Sequence, residues 1–191
     1  MFRAFVLGNG RSRLVVDPKD LKKHGKIYGC NALYRDFDPD YLIAVDPKMI
    51  TEICQKEYQL KHEVWTNPNN SYKNFKNLNF FKSPRGWSSG PTALHKACID
   101  QYKEIYILGF DYVGITDKFN NVYSDTPNYK RSIDCATYYG NWLSQTETLF
   151  GEFKHIFFYR VIENIKDNIS NWREINNLKQ ISYEEMWSKL R

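Results

Sequence analysis

The chain has 191 residues and a mass of 22.7 kDa, room for one domain with a sizeable core. With 42% apolar, 16% aromatic and 26% charged residues it is too hydrophobic to be disordered, and no apolar run approaches the roughly 20 residues of a bilayer span. The net charge of +5, from 27 Lys and Arg against 22 Asp and Glu, is scattered, with its densest run at Lys19, Lys22, Lys23 and Lys26, so nucleic acid is not an expected partner.

Residues Met1–Gly8 are too short for a secretory signal and carry no small-residue cleavage site, so Arg3–Leu7 reads as a first strand ending in Gly8-Asn9-Gly10-Arg11-Ser12. Asp17 can cap a short helix over Pro18–His24, with Pro18 at its first position. Strands follow at Lys26–Gly29, ending in Cys30-Asn31, and at Asp40–Val45, where Asp46-Pro47 opens a helix to about Tyr58. His62–Trp65 is a fourth strand. The stretch 67–87 is an irregular loop with one strand at Leu78–Phe81, and loops of this length are often functional.

Ser88-Ser89-Gly90-Pro91 starts a helix to about Tyr102, with Leu94, Ala97 and Cys98 on one face. Glu104–Gly109 is the clearest buried strand and leads into Phe110-Asp111-Tyr112. A second irregular loop covers 112–131. A long helix over Ile133–Phe150, a last strand at His155–Val161 and an amphipathic helix near Tyr183–Leu190 complete the pattern. Alternation at this spacing implies βαβ units, and so a single α/β domain over 1–191: a Rossmann-like, mostly parallel sheet with helices on both faces. Cys30, Cys54, Cys98 and Cys135 form no C-x-x-C pair and no zinc spacing, and read as reduced, mostly buried thiols of a cytoplasmic protein.

In an open parallel sheet ligands bind beyond the carboxyl ends of the strands, which sorts the polar residues. Gly8, Asn9, Gly10, Arg11 and Ser12 form a turn that lets backbone approach a ligand, or else an ordinary strand–helix turn. As a dinucleotide fingerprint it is weak and disfavours NAD, because Arg13 replaces the third glycine and the second strand ends in Asn31 where a ribose-binding acid would stand. Ser88, Ser89 and Gly90 at a helix start can cradle a phosphate, or simply cap the helix ahead of Pro91. Asp46 and Asp111 each end a strand and can bind a ribose hydroxyl, a metal or the following turn.

Asp36-Phe37-Asp38-Pro39-Asp40 resembles a metal-binding D-x-D but precedes its strand, at the wrong edge of the sheet. His24, His62 and His155 share that edge, and His95 lies inside its helix. Proton transfer would therefore fall to Tyr123, Asp125, Tyr129 or Asp134, although a tyrosine near its usual pKa of about 10 is a poor base at neutral pH.

These motifs form a set. The strand leading into Gly8-Asn9-Gly10-Arg11-Ser12 resembles the G-N-G-P-S opening of bacterial sialyltransferases of glycosyltransferase family 42. Cys30-Asn31 looks like that family's Cys-Asn pair. Ser89-Gly90, followed by Tyr102-Lys103-Glu104-Ile105-Tyr106-Ile107-Leu108-Gly109-Phe110-Asp111, is similar to its S-G … Y-K-E-I-Y-L-x-G-x-D stretch. The same layout occurs in a related family of domains that includes an archaeal 6-hydroxymethyl-dihydropterin pyrophosphokinase. The resemblance covers about two-thirds of the chain and implies a GT-A-type nucleotide site. It implies that Asn9 and Asn31 contact the phosphate and ribose of a CMP-type donor, and that Ser89 and Gly90 lie by the nucleotide. It further implies that Tyr123 hydrogen-bonds the phosphate and that no metal cofactor is used. The chain departs from the pattern in three places: Asp46-Pro47 replaces Asn-Pro, Arg11 replaces a proline, and no histidine stands near Tyr129–Asp134, where the family carries its catalytic one.

Three functions follow. The first is a nucleotide-dependent transferase, most like a glycosyltransferase with a CMP-sugar donor, in which Tyr123, Tyr129 and Asp111 do the chemistry and Arg11 or Arg131 adds charge compensation. The second is Mg²⁺-dependent phosphoryl or diphosphoryl transfer, with the metal on Asp46 and Asp111. The third is a binding or assembly module that kept the fold. The expected partner is a nucleotide or nucleotide-sugar. The acceptor is open, and the short chain leaves the acceptor region to be reduced or supplied by a second subunit of a homo-oligomer.

Overall fold

Eight strands, β1 (Arg3–Leu7), β2 (Lys26–Cys30), β3 (Tyr41–Ile43), β4 (Val64–Thr66), β5 (Leu78–Phe80), β6 (Glu104–Leu108), β7 (Phe157–Ile162) and β8 (Leu178–Ser182), join in one sheet in the order β5-β4-β3-β2-β1-β6-β7-β8. Every pairing is parallel. The computed structural model describes residues 2–112 and 117–191.

Alternate residues of the central strands enter two different cores, which is why these strands read as near-continuous apolar runs. Phe5, Leu7, Tyr106, Leu108, Tyr159 and Val161 face α2 (Pro47–Gln55) and α5 (Tyr183–Leu190), with Leu21 of α1 (Pro18–Leu21) beside them. Ala4, Val6, Ile105, Ile107 and Phe158 face α3 (Ser89–Ile99) and α4 (Gly140–Glu152). The result is a doubly wound, Rossmann-like α/β fold. No helix among the described residues is long and apolar enough to cross a membrane.

Local chemistry sets the element ends. Asp17 and Asp46 accept from Lys19 N and Lys48 N, so each caps a helix with proline at its first position. Ser182 and Glu185 close a capping box on α5. On the central α3, Lys96 is buried because Asp100, one turn on, accepts from its Nζ at 2.5 Å and the Trp65 ring lies beneath it.

Several expected boundaries move. α1 stops at Leu21, short of His24, and α2 stops at Gln55, after which Glu57 takes a left-handed conformation (φ 55°). The helix expected from Ile133 begins only at Gly140. Residues just before it are spent laterally: Phe119 N donates to Asp134 O, Ala136 N donates to Asp117 O, and Lys118 bridges Cys135. The strand expected to be last is followed by β8, whose Leu-Lys-Gln-Ile-Ser offers only two apolar residues and no regular alternation. Cys30, Cys54 and Cys98 are buried and Cys135 is exposed, all as free thiols.

Candidate active site

The chain runs outward from β1 to β5, returns through α3 to β6 beside β1, and then continues the other way. The reversal between β1 and β6 is where a doubly wound sheet opens a crevice at its carboxyl edge. A cavity of about 470 Å³ lies there, of the size that holds a small ligand. Gly8, Asn9 and Gly10 meet Asn31, Asp46, Ser88, Ser89, Gly90 and Asp111 on its wall, although these residues lie up to about a hundred positions apart. Both irregular loops reach it as well, through Trp87 and through Phe119, Asn120 and Asn121.

The first turn does not work as the sequence suggests. Its amides are used within the chain: Gly8 N donates to Leu108 O, Gly10 N to Gly109 O, Arg11 N to Asn120 Oδ1 and Ser12 N to Asp111 Oδ2. A Cβ on Gly8 would lie 2.5 Å from Gly109 O, and one on Gly10 would strike the Asp111 carboxylate. The glycines therefore admit the neighbouring turn rather than a phosphate. Asp111 in turn accepts from Ser12 N, Ser12 Oγ and Asn120 Nδ2, so both its oxygens are occupied in holding two loops together.

The second turn is different. The Ser88 hydroxyl makes no capping hydrogen bond. Ser89 Oγ donates to Asn31 Oδ1 at 2.7 Å and accepts from Val45 N at 3.1 Å, tying α3 to the ends of β2 and β3. The first-turn amides of Ser89 and Gly90 have no partner inside the helix, Pro91 has none to offer, and all three residues line the cavity. Here the positive end of an eleven-residue helix faces open space. Asn31 sits in a left-handed conformation (φ 51°), one that asparagine tolerates, and its Nδ2 donates to no group of the described chain. Asp46 gives Oδ1 to the α2 cap and, among the described residues, leaves Oδ2 without a hydrogen-bond donor.

Neither candidate tyrosine reaches the wall. Val122 N donates to Asn9 O at 2.7 Å, which turns Tyr123 inward; its ring is 4% exposed and its hydroxyl accepts from Arg13 Nη2 at 3.0 Å. The Tyr129 hydroxyl accepts from Asn9 Nδ2 and Ala32 N, each at 3.3 Å, behind the lining. Burial pushes Tyr129 up to about 12 and raises Tyr123 further, so neither is a base at neutral pH. Tyr129 instead orients Asn9, whose Nδ2 also donates to Cys30 O. Arg11 is exposed off the wall, and Arg131 pairs with Asp134 at 3.0 Å.

Sequence reasoning did not find the rings. Trp87, Phe110, Tyr112, Phe119, Tyr139 and Trp142 all line the cavity, drawn from four separate segments with no shared spacing. No Lys, Arg or His of the described chain does so; the charged lining residues are Asp46 and Asp111. The D-x-D acids are engaged elsewhere, Asp40 with Lys26 and Ile27 N, and Asp38 beside His62. Such a site can stack a planar ring and hold one anionic group against a helix start.

Fold and cavity together define a class: a doubly wound, Rossmann-like α/β protein with an aromatic-walled crevice at its topological switch point. Compared with protein-family models, curated proteins and solved structures, the chain matches none of them.

Proposed function

We propose that the chain binds a nucleotide through a single phosphate at the start of α3 and is a nucleotide-dependent transferase, working without a metal on a donor of the CMP-sugar type. The observation that carries this reading is the start of α3 at Ser89 and Gly90, whose amides no carbonyl of the helix accepts, opening on a ring-lined cavity together with Asn31. One helix start offsets about half a unit of charge, which suits one phosphate ester; a bare triphosphate would need basic side chains that this lining lacks. The rings stack the base. Asp46 is the lining carboxylate with an oxygen to spare, so it is the group placed to take the acceptor's proton.

The presence of two carboxylates on the wall favours a second reading, Mg²⁺-dependent phosphoryl transfer. It requires Asp111 to give up Ser12 and Asn120, which would release the first turn. Thermal-shift titration with CMP, CDP and UDP, with and without Mg²⁺ and a chelator, separates the two. CMP is expected to raise the melting temperature with chelator present. Asn31→Asp keeps an acceptor for Ser89 Oγ but brings a negative charge to the phosphate, and is expected to weaken CMP by about tenfold or more. Absence of a shift with all three nucleotides rejects the nucleotide reading, and a strict Mg²⁺ requirement selects the second.

A further inference from the structure

The lining carries no basic side chain, yet a guanidinium lies directly behind it. Arg160, on β7, is 2% exposed. Its donors are all taken by uncharged oxygens: Nε donates to Phe110 O at 3.2 Å, Nη2 to Phe110 O at 3.1 Å and Asp111 O at 3.3 Å, and Nη1 to Asp167 O at 2.7 Å and Gln180 Oε1 at 2.8 Å. The plane of the group also stacks on Tyr112, 5.4 Å from the ring centre. Among the described residues no carboxylate forms an ion pair with it. Asp111 and Asp167 are close enough to act on its charge, and they meet it through their main-chain oxygens.

A buried cation without an ion-pair partner is costly, and a chain that only needed to brace this turn could do so with a neutral donor. What Arg160 grips is the turn after β6. That turn contains two left-handed residues, Gly109 (φ 69°) and Tyr112 (φ 56°), of which only the first is a glycine. All four residues, Gly109 to Tyr112, line the cavity. One side chain thus both holds the strained turn and supplies positive charge, at the place where the lining is otherwise only neutral or acidic.

Building on the nucleotide reading above, we propose that Arg160 is a positioning residue with an electrostatic role. It sets the Gly109–Tyr112 wall and provides, from one layer back, the positive potential that favours a phosphate-bearing ligand over its uncharged nucleoside. It does not touch the ligand. Its charge acts from a buried position through the backbone of Phe110 and Asp111, where screening is weak.

The test compares cytidine with CMP, read by quenching of the lining tryptophans Trp87 and Trp142, in the native chain, Arg160→Met and Arg160→Lys. Arg160→Met is expected to weaken CMP by about tenfold while changing cytidine by less than about twofold. Arg160→Lys, which keeps the charge with fewer donors, is expected to keep the native ratio of the two affinities. Equal weakening of both ligands in Arg160→Met would reduce Arg160 to a brace for the turn, and no change in either would remove it from the site; both results overturn the proposal while leaving nucleotide binding intact. If Arg160→Met does not fold, the ratio in Arg160→Lys decides, since its collapse with the charge retained rules out the electrostatic role. A native chain that binds neither ligand overturns the nucleotide reading and this proposal together.

Discussion

Gly8→Ala is expected to destabilise the protein by about 3 kcal/mol or more, among the larger effects a single methyl can have. The added carbon would lie 2.5 Å from Gly109 O and 2.8 Å from Phe110 Cδ2. The first of these is main chain on the adjoining β6 turn, and it is pinned by its hydrogen bond from Gly10 N at 2.9 Å. Neither side can yield without parting β1 from β6 at the junction that floors the cavity. For a chain of this size the loss corresponds to a fall of roughly 10 °C in melting temperature. Gly151→Ala is the internal control: it lies in α4 with open space where its methyl would go, and alanine is the better helix former, so its melting point is expected to hold or rise slightly. A Gly8→Ala protein that melts within a degree or two of the native chain would show that the β1–β6 junction is not tightly packed.

The second large effect is an acid-sensitive clamp at Glu52. Burial alone would raise its carboxyl, but hydrogen bonds from Arg35, Tyr34 and Asn128 outweigh burial and hold it down at about 2, against an ordinary 4.5. Arg35 grips Glu52 with Nε at 2.8 Å and Nη2 at 2.6 Å, and with the same fork reaches Thr126 Oγ1 and Pro127 O. The pair therefore ties α2 to the loop that carries Asn120 and Asn121 to the cavity wall.

A carboxyl depressed on folding contributes stability that is fully present above pH 4.5 and is lost as the pH falls from there towards 2. The size is up to about 3 kcal/mol, since the Glu52 side chain is only 13% exposed. Glu52→Gln should flatten stability against pH in that window. At neutral pH it should cost about 3 kcal/mol, because Arg35 keeps its charge without a partner. Limited proteolysis of the variant should cut first between residues 117 and 134. Parallel acid-unfolding curves for the two proteins would rule the clamp out.

How far the sequence could be read followed a physical divide. Buried parallel strands announce themselves, since Ala4–Leu7 and Ile105–Leu108 are covered on both faces and must be apolar throughout. Asp17-Pro18 and Asp46-Pro47 are local capping chemistry, legible from two residues each. β8 and the start of α4 were not legible, because β8 needs only Leu178 and Ile181 buried at the sheet edge, and residues 133–139 would suit a helix had their polar groups not been claimed by 117–119.

The sequence by itself determined that strands and helices alternate and that the polar turns fall at one sheet edge, which made Gly8–Ser12, Asn31, Asp46, Ser88–Gly90 and Asp111 the candidates for a site. Each of those conclusions rests on interactions within a few residues, or on the alternation of burial along a strand. Only the tertiary structure decided what each turn does there. Whether an amide is spent or free, and whether a tyrosine points into a cavity or beneath it, depends on partners about a hundred residues away: Asp111 for Ser12, Asn9 for Tyr129 and Arg13 for Tyr123. Such pairings leave no periodic trace in a single chain, so the same glycine-rich spelling serves equally for a phosphate cradle and for a turn closed on its own neighbour.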